Sequence, residues 1–366
     1  MALNCGIVGL PNVGKSTIFQ ALSSAPAAVE NYPFCTIDPN VGIVDVPDER
    51  LYKIAEIVKP PQAVPATVEF VDVAGLVEGA SRGEGLGNKF LATIREVGVI
   101  IHVVRCFEND DIAHVSGTID PTSDIHIVNI ELALADLETV DRRLEKLEKS
   151  LKAQKKDAVR DVQHQQELLM RVREVLQQGK PARTAGLSDE EQQELYDLHL
   201  ITLKKQLYVC NVDEMGSSDY VAQVEAVAEQ ENAGVLTISG KLEAEIAALE
   251  DDEERKAFLE EAGLQESGLS RLIREGYRLL GLRTFFTHGE KEVRAWTFEQ
   301  GSRAREAAGI IHTDFEQGFI KAEVYRCEDL FELGSEQKVR EAGKIRLEGK
   351  DYEVQDGDVI FFRFNP

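Results

Sequence analysis

The stretch CGIVGLPNVGKST, Cys5 to Thr17, narrows sharply what this chain can fold into. Cys5 to Val8 reads as a short buried strand, and Gly9-x-x-x-x-Gly14-Lys15-Ser16 follows with the spacing of a phosphate-binding loop. Gly9 and Gly14 let the backbone close around phosphates with its N–H groups pointing inward. Lys15 is placed to reach the β- and γ-phosphates and the Ser16 hydroxyl to reach Mg²⁺. A helix from Lys15 to about Ser23 adds its positive end to the same anion site. Asn12, Val13, Gly14, Lys15, Ser16 and Thr17 are therefore the candidate nucleotide-binding residues here. A chance glycine-rich turn would not bring strand, loop and helix cues in this order.

A phosphate loop does not by itself distinguish switch, kinase or motor. In TVEFVDVAGLVEGASRGEGLG, the apolar strand Val68 to Val71 ends in Asp72-Val73-Ala74-Gly75. An Asp at a strand's C-terminal end can hold Mg²⁺ through water, and the Gly75 N–H can contact a γ-phosphate and release it after cleavage. Gly79, Gly83, Gly85 and Gly87 follow at short intervals, as a second switch requires. Between the two motifs, Thr36 is the candidate first-switch residue, its hydroxyl joining the Mg²⁺ shell; the rival reading is a plain surface loop. Lys15, Thr36 and Gly75 are the catalytic candidates, and Ser16, Thr36 and Asp72 the metal ligands. Leu76 stands where many GTPases carry a water-orienting Gln. Either another group aligns the water, with Arg82, Lys89, Arg95 and His114 as candidates, or turnover waits for a partner. Asn12 is a candidate ligand for a monovalent cation such as K⁺, against simple loop packing.

Three further apolar runs, Val97 to Val104, Leu207 to Cys210 and Val235 to Ile238, read as buried strands of a doubly wound α/β sheet with ligand loops at their C-terminal ends. After the second comes Asn211-Val212-Asp213-Glu214, where a guanine-reading loop has Asn-Lys-x-Asp. Glu214 is one methylene longer than the Asp that pairs with guanine, and Val212 lacks the lysine stem that covers the base. Asn211 can steady the loop or meet the adenine N7/N6 side. These changes weaken a guanine contact worth roughly 1–3 kcal/mol and so predict a modest preference for ATP over GTP. Ser239, in SGKLEAE, matches the last nucleotide loop loosely.

From about residue 128 to 200 the texture becomes helical: Ile130, Leu134, Leu137, Leu144, Leu147 and Leu151 suggest one apolar stripe. A second helix is expected over Val162 to Gln178, and Ser188 with Glu191 reads as a cap opening a third. The pair of long helices predicts a projecting hairpin. Its stretch Arg142 to Arg160 carries eight Lys/Arg and three acidic residues, although the chain's net charge is −24. Bulk charge therefore disfavours unspecific nucleic-acid binding, and this arm is the candidate local contact for RNA or an acidic partner, against a solvated helix laced with ion pairs. Beyond Gly281, strand-rich segments with two short helical ones suggest a small α+β module, in which His312 and Asp314 are read as structural. Five scattered cysteines without a Cys-x-x-Cys pair, no apolar run long enough to span a bilayer and no signal peptide fit a cytoplasmic chain without a membrane partner.

Taken together, Gly9-Leu10-Pro11-Asn12-Val13-Gly14-Lys15-Ser16, Asn31-Tyr32-Pro33-Phe34-Cys35-Thr36, Asp72-Val73-Ala74-Gly75-Leu76-Val77, Gly85-Leu86-Gly87-Asn88-Lys89-Phe90 and His102-Val103-Val104-Arg105-Cys106-Phe107 resemble the Obg-related YchF family, the Obg-like ATPases of the TRAFAC class. Val293-Arg294-Ala295-Trp296-Thr297 and Asp356-Gly357-Asp358-Val359 extend the resemblance over nearly the whole chain. It implies a P-loop GTPase-like domain at 1–127 and 201–281, an inserted α-helical coiled-coil domain at 128–200, and a C-terminal β-grasp (TGS) domain at 282–366. It also implies Mg²⁺-dependent ATP hydrolysis, ribosome association and links to translation or stress. The altered base-reading positions fall on Asn211 and Glu214, the phosphate and metal positions on Lys15, Ser16, Thr36 and Asp72. A GTPase of the same switch class, a P-loop small-molecule kinase and a non-hydrolysing nucleotide sensor remain as alternatives.

Overall fold

The computed structural model describes residues 3–24, 40–73, 86–112, 114, 117–151, 159–213, 218–249 and 251–365. The expectations placed on Thr36, Gly75, Leu76, Arg82, Glu214 and the Lys89 side chain fall outside what is described. In chain order the first elements are β1 (Asn4–Val8), α1 (Lys15–Ser24), β2 (Val41–Asp45), α2 (Glu49–Val58), β3 (Gln62–Val64), β4 (Thr67–Asp72), α3 (Leu86–Glu96) and β5 (Val99–Arg105). Next come α4 (Pro121–Leu151), α5 (Val159–Gln177), α6 (Asp189–Glu194), β6 (Lys205–Asn211), α7 (Ser218–Glu231), β7 (Gly234–Ile238) and α8 (Gly240–Ala248). The described residues divide into two compact units, one drawn from 3–24, 40–42 and 70–269, the other from 43–69 and 270–365.

The first sheet has the order β2-β4-β1-β5-β6-β7. The pairs β1–β5, β5–β6 and β6–β7 are parallel, in the registers Cys5↔Val99, Arg105↔Asn211 and Asn211↔Ile238. Every residue of β5 is buried, as an apolar run covered on both faces requires. Parallel pairing brings the loops after Val8, Arg105, Asn211 and Ile238 to one sheet edge, where ligands of doubly wound sheets bind.

The helical insertion differs from its sequence pattern in one respect. Helix α4 starts at Pro121, with Asp120 Oδ1 accepting from Ser123 N at 3.0 Å, so an Asp cap and a Pro in the first turn set its start. Ile130 and Leu134, expected on the apolar stripe, are 36% and 44% exposed. Leu144 and Leu147 are buried against Leu169, Val172 and Leu176 of α5, with Leu195, Leu198 and Leu200 closing the cluster. The reason is a change of surroundings along one helix: the first turns bury Ile125, Val128 and Leu132, whereas later turns face α5. The reciprocal Ser188–Glu191 capping box forms as expected. Asp136, fully buried, accepts from Ile201 N (2.9 Å), Thr202 N (2.7 Å) and Thr202 Oγ1 (2.7 Å), fixing α4 to the segment that enters β6.

Helix α9 (Asp252–Glu261) belongs to the first unit; the C-terminal part of the second begins within α10 (Gly268–Leu279), then runs β8 (Leu282–His288), β9 (Glu292–Glu299), α11 (Ala304–Ile311), α12 (Thr313–Gln317), β10 (Phe319–Arg326), α13 (Cys327–Leu333), α14 (Glu336–Glu341), β11 (Arg346–Glu348) and β12 (Asp358–Phe364). Its sheet has the order β11-β10-β12-β8-β9-β3 around a core that includes Phe285, Phe298, Val324, Ile360 and Phe362. Strand β3 pairs in parallel with β9, so Gln62–Val64 joins this sheet, whereas β2 and β4 on either side of it in the chain belong to the first sheet. The prolines flanking β3 hide it from a strand pattern, and an edge is where such a segment is tolerated. His312 caps α12 by accepting from Asp314 N at 3.1 Å, a structural role.

Candidate nucleotide site

A cavity of about 1280 Å³ opens at the sheet edge where those four loops meet, lined from the phosphate loop by Asn12, Gly14, Lys15, Ser16 and Thr17. The two loop glycines have physical reasons to be there. Gly14 sits at φ +92, and a Cβ on it would lie 2.1 Å from Asn211 Nδ2; a Cβ on Gly9 would lie 2.6 Å from the Val103 carbonyl oxygen. Asn12 also takes a left-handed conformation, φ 63, which Asn tolerates better than most residues. Val13, by contrast, is 1% exposed and turns into the core, contributing its carbonyl rather than its side chain.

Lys15 is buried, and its ammonium pairs with the carboxylate of Asp72 at the end of β4. The pair brings the Asp to the phosphate loop, as the strand-end position predicts. Ser16 hydroxyl and Asp72 carboxylate are hard oxygen donors, the chemistry that suits Mg²⁺. Among the described residues no cluster of three His, Cys, Asp or Glu could hold a metal ion. A phosphate-bound Mg²⁺ needs no such cluster, so the residues present fit it.

Asn211 is 5% exposed and joins two loops: its Nδ2 donates to Val13 O at 2.9 Å and its Oδ1 accepts from Gly240 N at 2.9 Å. Of the two uses the sequence left open, the structure shows the steadying one. Val212 is nearly buried, its N–H donating to Ile238 O at 2.9 Å, and it lines the cavity with Asp213. Ser239 caps α8, accepting from Leu242 N at 3.4 Å, while the wall after it comes from Gly240, Lys241, Ala244, Glu245 and Ala248.

Phe107, Glu108, Asn109 and Ile112 also line the cavity. Sequence reasoning missed them and the α8 wall as lining residues. The signals available were the four-residue spacing of Lys241, Glu245 and Ala244, Ala248 on one helical face and the position of Phe107 just past a parallel strand. Arg95, a candidate for aligning water, donates instead to Ala135 O and Thr139 Oγ1, both at 3.2 Å. His114 Nε2 lies 2.9 Å from Asp124 Oδ2, both side chains buried, and burial pushes the Asp124 carboxyl above the usual carboxylate range.

The phosphate loop, the strand-end Asp and the parallel sheet define a P-loop nucleotide-binding protein, and residues 4–211 match the family described as 50S ribosome-binding GTPase. Residues 282–365 match the YchF-GTPase_C family, described as a protein of unknown function (DUF933). The chain is 55% identical over 370 residues to the Ribosome-binding ATPase YchF of Bacillus subtilis, with all of both chains covered. It is 53% identical over 367 residues to that of Haemophilus influenzae, again with both fully covered. The solved Schizosaccharomyces pombe YchF GTPase matches with a TM-score of 0.85 at 36% identity, covering 99% of this chain and 98% of that one. The chain belongs to the YchF family.

Proposed function

We propose that this protein is a ribosome-binding ATPase, a P-loop switch that hydrolyses ATP in preference to GTP. The observation that carries the nucleotide reading is the joined phosphate end: Lys15 beside Asp72, and Asn211 tying the phosphate loop to Gly240. The ribosome reading rests on relatives that bear that name along their full length.

In this reading the loop N–H groups and Lys15 bind and orient the phosphates. Lys15 changes partner from the Asp72 carboxylate to the phosphate oxygens as nucleotide enters. Ser16 and Asp72, with Thr36 in the triphosphate state, would hold Mg²⁺, which neutralises charge on the β- and γ-oxygens. Gly75 would report the γ-phosphate, and Asn12 would hold a K⁺ that supplies positive charge there. Val212 and Glu214 relax guanine selection; Val212→Lys with Glu214→Asp should swing preference toward GTP. We take 128–200 as the inserted coiled-coil domain and 282–366 as a TGS domain, in a cytoplasmic protein. Among the described residues no helix is long and apolar enough to cross a membrane.

The basic arm 142–160 is the proposed RNA contact. Within its described part Arg142 pairs with Glu138 at 3.6 Å and Arg143 with Asp197, which leaves Lys146 and Lys149 as exposed cations better placed for an external partner. Turnover of ATP and GTP, with and without K⁺ and ribosomes, tests the reading. No cleavage of either nucleotide in the presence of ribosomes would sink the ATPase assignment. Unchanged ribosome binding after neutralising Lys146 and Lys149 would move the contact away from this part of the arm.

A further inference from the structure

Arg105 ends β5 with 1% of its surface exposed, although it carries a permanent charge. Its guanidinium donates to three carbonyls of one short loop: Phe107 O from Nε at 3.2 Å, Asn109 O from Nη2 at 3.1 Å and Ile112 O from Nη1 at 3.0 Å. It also lies over the Phe107 ring, 4.6 Å from the centroid. The residues whose carbonyls it holds are lining residues of the nucleotide cavity. Burying a charge is costly unless hydrogen bonds compensate, and an apolar side chain would fill the same space without that cost. A planar fork satisfied by three carbonyls does what no apolar residue can: it fixes the curvature of the loop. The register is relevant too, because Arg105 pairs with Asn211, which steadies the phosphate loop from the next strand.

We infer that Arg105 is a positioning residue for the nucleotide: it holds the 107–112 loop as the cavity wall that the phosphate loop does not supply. The inference rests on the nucleotide-site reading and adds a residue that acts through backbone carbonyls rather than through contact with the ligand. Lysine keeps the charge but offers its donors from a single point rather than from a planar fork, so Arg105→Lys separates geometry from charge.

The test compares Mg·ATP with Mg·tripolyphosphate, which carries the phosphates and no nucleoside. Arg105→Lys should raise the KM for ATP by about tenfold, the size of one lost charge-assisted hydrogen bond. It should leave kcat at saturating ATP within about twofold, because the phosphate end is untouched. Competition by tripolyphosphate should keep its wild-type affinity. An unchanged ATP KM, or tripolyphosphate affinity that falls in step with ATP, overturns the inference, since the first denies the role and the second reports general damage. If the Lys variant does not fold, Asp111→Gly decides in the same assay. Asp111 is exposed and lies within the loop, its N–H bound to Asn109 Oδ1 at 2.9 Å. Loss of ATP affinity alone supports the loop's role, and wild-type affinity for both probes overturns it. If the wild-type chain itself binds no ATP, the nucleotide reading fails first.

Discussion

Asn211→Asp separates steadying the site from reading the base. The substitution is nearly isosteric, so it leaves no cavity. Its first oxygen can still accept from Gly240 N, but the group facing Val13 O changes from a donor at 2.9 Å into a second acceptor. The position is 5% exposed, so water cannot readily replace the lost donor. Leaving a buried acceptor unpaired costs about 1–3 kcal/mol, and facing it with a carboxylate adds to that, for a total of roughly 2–4 kcal/mol. Urea denaturation followed by a probe in the nucleotide unit should show a loss of this size. The KM values for ATP and GTP should rise together, because the distorted element is the phosphate loop that both nucleotides share. A changed ATP/GTP ratio with near-wild-type stability would refute the reasoning and return Asn211 to the role of base reader.

Other expectations follow from the same contacts. Gly14→Ala places a methyl 2.1 Å from Asn211 Nδ2 on a backbone at φ +92, so ATP binding by calorimetry should fall below detection while the second unit keeps its unfolding transition. Burial, reinforced by the nearby Arg183 charge, lowers the His102 pKa to about 3. Between that value and the unfolded value near 6.5 the unfolded chain binds the extra proton, so stability should fall with falling pH by up to about 1.4 kcal/mol per unit. His102→Gln should flatten urea midpoints over that window. Asp136→Ala removes three hydrogen bonds at the root of the insertion and should cost about 3–5 kcal/mol in urea unfolding, with the second unit unaffected.

What the sequence made legible was what neighbouring residues decide among themselves. The apolar run Val97 to Val104 read as a strand buried on both faces, and Ser188 with Glu191 as a cap opening a helix, and both form. The phosphate loop carried its own spacing, and the strand-end rule drew attention to Asp72, although its pairing with Lys15 is visible only in the structure. Choices made by distant partners were not visible. Ile130 and Leu134 fit a helical stripe perfectly well, but the side that is buried depends on what packs there. Strand β3 is short and framed by prolines, and its partner lies more than two hundred residues away, in the register Gln62↔Glu292. Arg105 stood in the sequence only as a letter of the His102–Phe107 motif, because its acceptors are backbone carbonyls, which have no letter in a sequence.

The bond from Asn211 to Val13 spans 198 positions. During synthesis the phosphate loop emerges first and waits through the whole helical insertion before its fastener appears, followed by Gly240. A growing chain therefore cannot close its grip on nucleotide until about two thirds of it has been made, since domains form as their segments emerge. For a family of ribosome-binding proteins, the tie across the nucleotide site is thus among the later contacts that a chain leaving its own ribosome can make.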